Sequence, residues 1–185
     1  MKPEIDFDNI HLAVPSMAYM DSYRAACIVY GTHGVEDFAY PDVATKRRAT
    51  AYLKKIEKFR RGINLPVGYV PSSGFWLVDG QHYLGSGDIR HYLTDNLRQF
   101  GGNIGYSINP TFWRRGLGTL ILSMLLDEAR HLRIAKPIVT CFDTNTASAK
   151  IIEKNGGVLL HKINNTLRGT DRLTRVYEID LTRGF

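Results

Sequence analysis

The stretch INPTFWRRGLGTLILSML, Ile108 to Leu125, sets two arginines and two glycines between a proline and a long apolar run. Just before it, NIGYSIN (Asn103 to Asn109) reads as a strand, stopped by Pro110. After it, apolar residues from Leu117 to Leu132 cover nearly the whole circumference of a helix, which predicts burial on several sides. Arg130, His131 and Arg133 fall in the last turn, where cations complement the helix dipole. The glycines of RRGLGT remove β-carbons that would keep an anion from the backbone, and the free N–H groups of a helix's first turn point outward with its positive end. Arg114 and Arg115 would add charge-assisted bonds. Two readings fit these residues: a tight turn into a buried helix, and a cradle for a pyrophosphate. The Walker pattern GxxxxGK[ST] is absent, and a Rossmann GxGxxG belongs in the first βα unit of a chain, with an acid about twenty residues later. Neither applies.

Working outward, the downstream segment PIVTCF (Pro137 to Phe142) is a short apolar run of the kind found in central strands. NTASAKIIEKNGG then reads as a helix, with Asn145 near its cap and Gly156 and Gly157 beyond its end. GVLLHKI and RLTRVYEIDL look like two closing antiparallel strands. Upstream, GFWLVDGQHYLGSGDIRHYL holds two apolar runs joined by Asp79-Gly80, a hairpin signal because both residues tolerate positive φ. IHLAV (Ile10 to Val14) reads as the first strand, and Ser16 offers a cap for a helix ending near Gly31. No internal repeat, low-complexity segment or linker interrupts the 185 residues, so a single domain over 1–185 is expected.

The net charge of +6 is concentrated in one place. ATKRRATAYLKKIEKFRRG, Ala44 to Gly62, carries eight Lys and Arg against the single acid Glu57. Ala49, Tyr52, Leu53, Ile56 and Phe59 recur at three- and four-residue spacing, which predicts an amphipathic helix packing one stripe on a core. A solvated basic face is the simpler reading; a nucleic-acid surface is the alternative, against which stands the lack of outward aromatics for base stacking. No run of eighteen apolar residues and no signal-peptide pattern occurs, so a cytoplasmic protein with no membrane partner is expected. Cys27 and Cys141 lack CxxC spacing and sit in apolar segments, which suggests buried free thiols and no metal.

INPTFWRRGLGTLIL followed by IVTCFDTNTASAKIIEKNGGVL resembles the acetyl-CoA-binding half of the GNAT superfamily of acyl-CoA-dependent acetyltransferases, most convincingly from Phe75 to Leu159. The same segment is similar to a subgroup of bacterial acetyltransferases. The resemblance implies an α/β (α+β) GNAT fold, a mixed, mostly antiparallel central sheet of about six to seven strands flanked by helices. It implies acetyl-CoA as acetyl donor, with Ile108 alongside the pantetheine arm. The pyrophosphate is expected on the amides of Arg115, Gly116, Leu117, Gly118 and Thr119, with Arg114 available to a phosphate. Asn145 matches the family's asparagine on the next helix, and Ser148 replaces its usual alanine. The reaction implied is direct attack of an amine on the thioester, with a backbone N–H holding the oxyanion.

Three positions depart from the family pattern. Trp113 replaces a Gln or Arg that would donate to phosphate. Ile152 stands where many members place the tyrosine that protonates the departing thiolate, and Asn103 where some have a glutamate that helps deprotonate the amine. The substitutes to examine are Asp88, His91, Tyr106 and Tyr177. The leading expectation is an N-acetyltransferase for a small amine. Acetylation of a protein or aminoacyl-tRNA, and a non-catalytic acyl-CoA-binding regulator, are the alternatives. Tyr30 to Asp42 and Tyr69 to Gly74 are candidate acceptor loops, in which Glu36, Asp37 and Asp42 could attract a cationic amine. A homodimer is left open.

Overall fold

The computed structural model describes residues 3–35, 41–167 and 170–182. The loop acids Glu36 and Asp37 lie outside these described residues. Among the described residues seven strands form one sheet in the order β1-β2-β3-β4-β5-β7-β6. In chain order the elements are β1 (His11–Ala13), α1 (Met20–Thr32), α2 (Lys46–Arg60), β2 (Ser72–Val78), β3 (Tyr83–Arg90) and α3 (Asp95–Phe100). They are followed by β4 (Ile104–Ile108), α4 (Leu117–His131), β5 (Ile138–Phe142), α5 (Thr146–Lys154), β6 (Gly157–Leu167) and β7 (Thr170–Ile179). Every neighbouring pair is antiparallel except β4 and β5. The mixed, mostly antiparallel sheet expected from the sequence is therefore present.

Each face of the sheet carries its own core. On one side α4 lays Leu117, Ile121, Leu122 and Leu125 against Leu77, Ile89, Ile104 and Val139, joined by Ile152 of α5 and Tyr177. On the other side Met20, Tyr23 and Tyr30 of α1 and Ala49 of α2 cover Trp76, Val78 and Tyr83. The connection between β2 and β3 is longer than the two residues its Asp-Gly pair suggests. It spans 79–82, with Gly80 at φ +88 and the Asp79 carboxylate accepting from the amides of Gln81 at 3.1 Å and His82 at 2.7 Å. α3 was not expected; it is only six residues long and is started by Thr94, whose side chain accepts from the Leu97 amide.

The feature that positions the site is a break in the sheet. β4 and β5 share a single register pair, Ile104 with Val139, and then separate, leaving the β4 edge from Gly105 to Ile108 without a β5 partner. The apex is locked by Asn103. Its Oδ1 accepts from the Ile138 amide at 2.9 Å, its Nδ2 donates to the Arg90 carbonyl at 3.1 Å, and its backbone bonds both of these strands again. With only 4% of its surface exposed, Asn103 ties β3 to β5 across β4. The position that matches the family's glutamate thus holds a structural staple. Replacing Asn103 with Ala strands a buried amide and a buried carbonyl, and is expected to lower unfolding free energy by about 2–4 kcal/mol in a denaturant titration.

Candidate active site

At the mouth of the wedge, Pro110–Phe112 forms a turn of 3-10 helix, and the Asn109 side chain accepts from the Thr111 amide. Arg114 and Gly116 both take positive φ, +64 and +79, which swings the chain into α4. The two glycines act for different reasons. A β-carbon on Gly116 would meet no atom of the described residues within 4 Å, so its role is conformational and leaves the backbone open to a ligand. A β-carbon on Gly118 would lie 2.6 Å from Ile151 Cδ1, so this glycine lets α4 approach α5. The anion-access reading of the second glycine is therefore corrected to close helix packing.

The amides of Thr119 and Leu120 turn back onto the Gly116 carbonyl at 3.1 and 3.2 Å. This commits the Thr119 amide, which was expected to face a phosphate. Among the described residues, the amides of Arg115, Gly116, Leu117 and Gly118 have no such acceptor, and they sit at the positive end of a fifteen-residue helix. The Arg115 side chain is also occupied: it donates to the Pro3 carbonyl at 2.9 Å and stacks over Phe112. Arg114 is exposed and makes no ion pair or hydrogen bond among the described residues, which leaves it the available guanidinium. Trp113 donates its indole N–H to the Ile108 carbonyl at 2.7 Å. In place of a phosphate donor it braces the end of β4, and it takes up one backbone acceptor of Ile108.

Inside the wedge lies a cavity of about 820 Å³ that reaches both faces of the sheet. Of the residues singled out by sequence, Asp88, Tyr106, Asn145 and Ser148 line it; His91, Ile108, Tyr177 and the 114–119 turn do not. Asn145 caps α5 by accepting from the Ser148 amide at 3.0 Å. The Ser148 hydroxyl in turn pairs with the Tyr106 hydroxyl at 3.0 Å, bridging α5 to the unpaired part of β4. Burial pushes the Tyr106 phenol up to about 12, so it holds its proton across the neutral range. Ile152, at the position of the family's donor tyrosine, is fully buried beneath Gly157. Cys141 borders the cavity as a thiol whose pKa is raised by burial.

Asp88 stands on the opposite side of the sheet from Tyr106. Its register partners are Gly74 on β2 and Gly105 on β4. A β-carbon on Gly105 would come within 2.9 Å of Asp88 Oδ1, so that glycine makes room for the carboxylate. Burial raises the Asp88 pKa, opposed by the charge of Arg90, whose guanidinium is itself fixed on the Gly101 and Gly102 carbonyls at 2.9 Å. No hydrogen bond claims the Asp88 carboxylate among the described residues. His91 pairs with the Ser73 hydroxyl at 2.9 Å and is held below the ordinary histidine range by burial and by Arg60. Tyr177, fully buried, donates to Glu153 at 2.9 Å.

The inner side of α2 roofs the cavity with Tyr52, Lys55, Ile56 and Phe59. Only the first turns of its apolar stripe, around Ala49, pack on the core as expected. The outer side is exposed, with Arg48 paired to Asp42 and Arg60 to Glu57, both at 2.8 Å. This roof has no mark in the sequence, nor has Thr174, which is buried at 2% exposure, lines the cavity and has no partner for its hydroxyl among the described residues. No signal at either position distinguishes it from an ordinary amphipathic helix or strand.

Among the described residues no group of three or more His, Cys, Asp or Glu could hold a metal ion, and no helix is long and apolar enough to cross a membrane. Residues 20–158 match the family described as acetyltransferase (GNAT) domain. No curated protein matches the chain. Among solved structures it is similar to the microcin C7 self-immunity acetyltransferase MccE in complex with acetyl-CoA and AMP, with 15% identity, a TM-score of 0.71, and 94% of this chain and 93% of that one covered. It is likewise similar to RimL, the ribosomal L7/L12 alpha-N-protein acetyltransferase, in complex with coenzyme A, with 16% identity, a TM-score of 0.71, and 96% and 99% covered. A GNAT-family acetyltransferase from Bacillus anthracis matches at 14% identity with a TM-score of 0.66, over 97% and 99% of the chains. At these identities the likeness is one of fold.

Proposed function

Because the chain belongs to the GNAT acetyltransferase family, we propose that it transfers the acetyl group of acetyl-CoA to the primary amine of a small acceptor. The observation that carries this is the separation of β4 from β5, which opens a cavity lined by the Asp88 carboxylate and leaves the β4 edge unpaired on its way to the amide-rich start of α4. The free amides of 115–118 and Arg114 suit the coenzyme's pyrophosphate. The unpaired β4 edge suits the pantetheine arm, whose amides are extended-chain groups, and an amide on that edge can hold the oxyanion of the tetrahedral intermediate. MccE and RimL, at the same fold, are described with acetyl-CoA and coenzyme A bound.

Two side-chain roles complete the reading. Asp88 takes the proton from the attacking ammonium, since its raised pKa brings a carboxylate toward the range in which it can act as a base. Tyr106, hydrogen-bonded to Ser148, returns a proton to the departing thiolate in place of the missing tyrosine on α5. Tyr106→Phe is expected to lower kcat about tenfold or more while leaving acetyl-CoA affinity nearly unchanged, as measured by steady-state thiol release beside calorimetry.

The test of the function is a calorimetric titration with acetyl-CoA, followed by thiol release across a panel of amines. Binding with release on at least one amine is expected. Binding with release on none supports an acyl-CoA-binding regulator.

A further inference from the structure

We propose that the acceptor is a small monoamine with an aromatic or similarly flat body, held between Asp88 and the hydroxyl of Thr174; this rests on the acetyltransferase reading. The acceptor side of the cavity takes its walls from different elements: Tyr52 and Phe59 of α2, Phe100 of α3 and Phe142 of β5. All four rings are only partly buried. Two of them already meet cations, Phe142 the Arg172 guanidinium at 4.9 Å and Phe59 the Lys55 ammonium at 5.8 Å, so the aromatic wall is one that accepts positive charge. Tyr52 is held rigid, stacked parallel on Tyr23 at 5.8 Å with its hydroxyl bonded to that of Tyr23 at 3.0 Å. Flat faces of this kind favour a planar guest, and they favour an ammonium beside it.

The charges narrow the class further. Asp88 is the single carboxylate lining the cavity among the described residues, and Lys55 and Arg90 line it as well. Asp88 offers one counter-charge for one ammonium, and the two cations repel a polycation more strongly than a monoamine. Thr174 supplies the far end. It lies on β7 opposite Phe142, its hydroxyl is buried without a partner among the described residues, and Asn165 of β6 lines the cavity near the same end of the sheet. A buried hydroxyl left unpaired is unfavourable, and a hydrogen-bonding group on the acceptor's far side would satisfy it. A peptide N-terminus would bring a long polar backbone against the rings of the roof, where it would find few partners.

The experiment is calorimetry on the CoA-loaded protein with 2-phenylethylamine, n-hexylamine, spermidine and a peptide with N-terminal serine, paired with thiol release on the same four amines using acetyl-CoA. Phenylethylamine is expected to bind about tenfold tighter than hexylamine and spermidine. Tyr52→Leu should narrow the preference over hexylamine to about twofold, whereas Asp88→Asn should weaken both amines together. A phenylethylamine carrying a ring hydroxyl should gain affinity in the wild type and lose that gain in Thr174→Val. Tighter binding of spermidine or the peptide, or a Tyr52→Leu effect equal on ring and chain amines, overturns the proposal. Thiol release with spermidine or the peptide as the best acceptor would do so while leaving acetyl transfer standing. Absence of acetyl-CoA binding would instead overturn the acetyltransferase reading.

Discussion

Asp88→Asn is expected to reduce kcat for acetyl transfer by about 10²–10⁴-fold, the range usual for loss of a general base, with acetyl-CoA affinity unchanged. The substitution keeps the shape of the side chain and removes the charge. Because Gly105 leaves the niche open and no hydrogen bond secures the carboxylate among the described residues, the amide should fit without rearrangement. The pH profile provides a second readout. Burial places the Asp88 pKa above its ordinary value, so the wild-type rate should rise with pH through that raised pKa, and the variant should lose that limb.

Stability should move the other way. A carboxyl whose folded pKa is raised binds its proton more tightly folded than unfolded. Stability therefore falls as pH rises from the unfolded pKa through the folded one, and above that window ionised Asp88 opposes folding. Asp88→Asn should accordingly unfold at an equal or higher temperature than the wild type at neutral pH, with the difference closing as the pH falls below the ordinary aspartate range. A variant that is inactive yet at least as stable separates catalysis from folding. Undiminished turnover would remove Asp88 from the mechanism.

The second large effect concerns the cofactor. Gly116→Val is expected to weaken acetyl-CoA binding by about 100-fold or more, read by calorimetry. Gly116 sits at φ +79, where a β-branched residue is strained by roughly 1–2 kcal/mol and will twist the turn away. Each charge-assisted bond lost from the 115–118 amides adds about 1.5–3 kcal/mol. Space is not the obstacle, because no atom of the described residues lies within 4 Å of the added carbon. Gly118→Ala provides the contrast: its methyl meets the flexible end of Ile151, so it should lower stability slightly and affinity less than Gly116→Val.

The elements that follow from local chemistry were legible in the sequence. α4 is announced by its all-round apolar pattern and the hairpin by Asp79-Gly80, and the cap of α5 by Asn145. The turn into α4 was legible for the same reason, since its glycines, arginines and helix start are contiguous. What escaped reading depends on distant partners. The split between β4 and β5 is a property of register, set by Asn103 reaching Ile138 thirty-five positions away. Arg115 is taken by Pro3 and Tyr106 meets Ser148 across forty-two positions, so neither role could be read from neighbours. Asn103 and Ile152 appeared in sequence as a missing base and a missing acid. In the fold one is the staple at the apex and the other is core, and the cavity instead places Asp88 and Tyr106 on its walls.

The most direct test of the account is a crystal structure of the protein with coenzyme A bound. The pyrophosphate oxygens should lie within about 3.2 Å of the amides of 115–118. The pantetheine should run along the unpaired edge of β4, with its sulfur between Tyr106 and Asp88. A pyrophosphate bound away from the start of α4, or a sulfur walled off from the cavity that Asp88 lines, would contradict it.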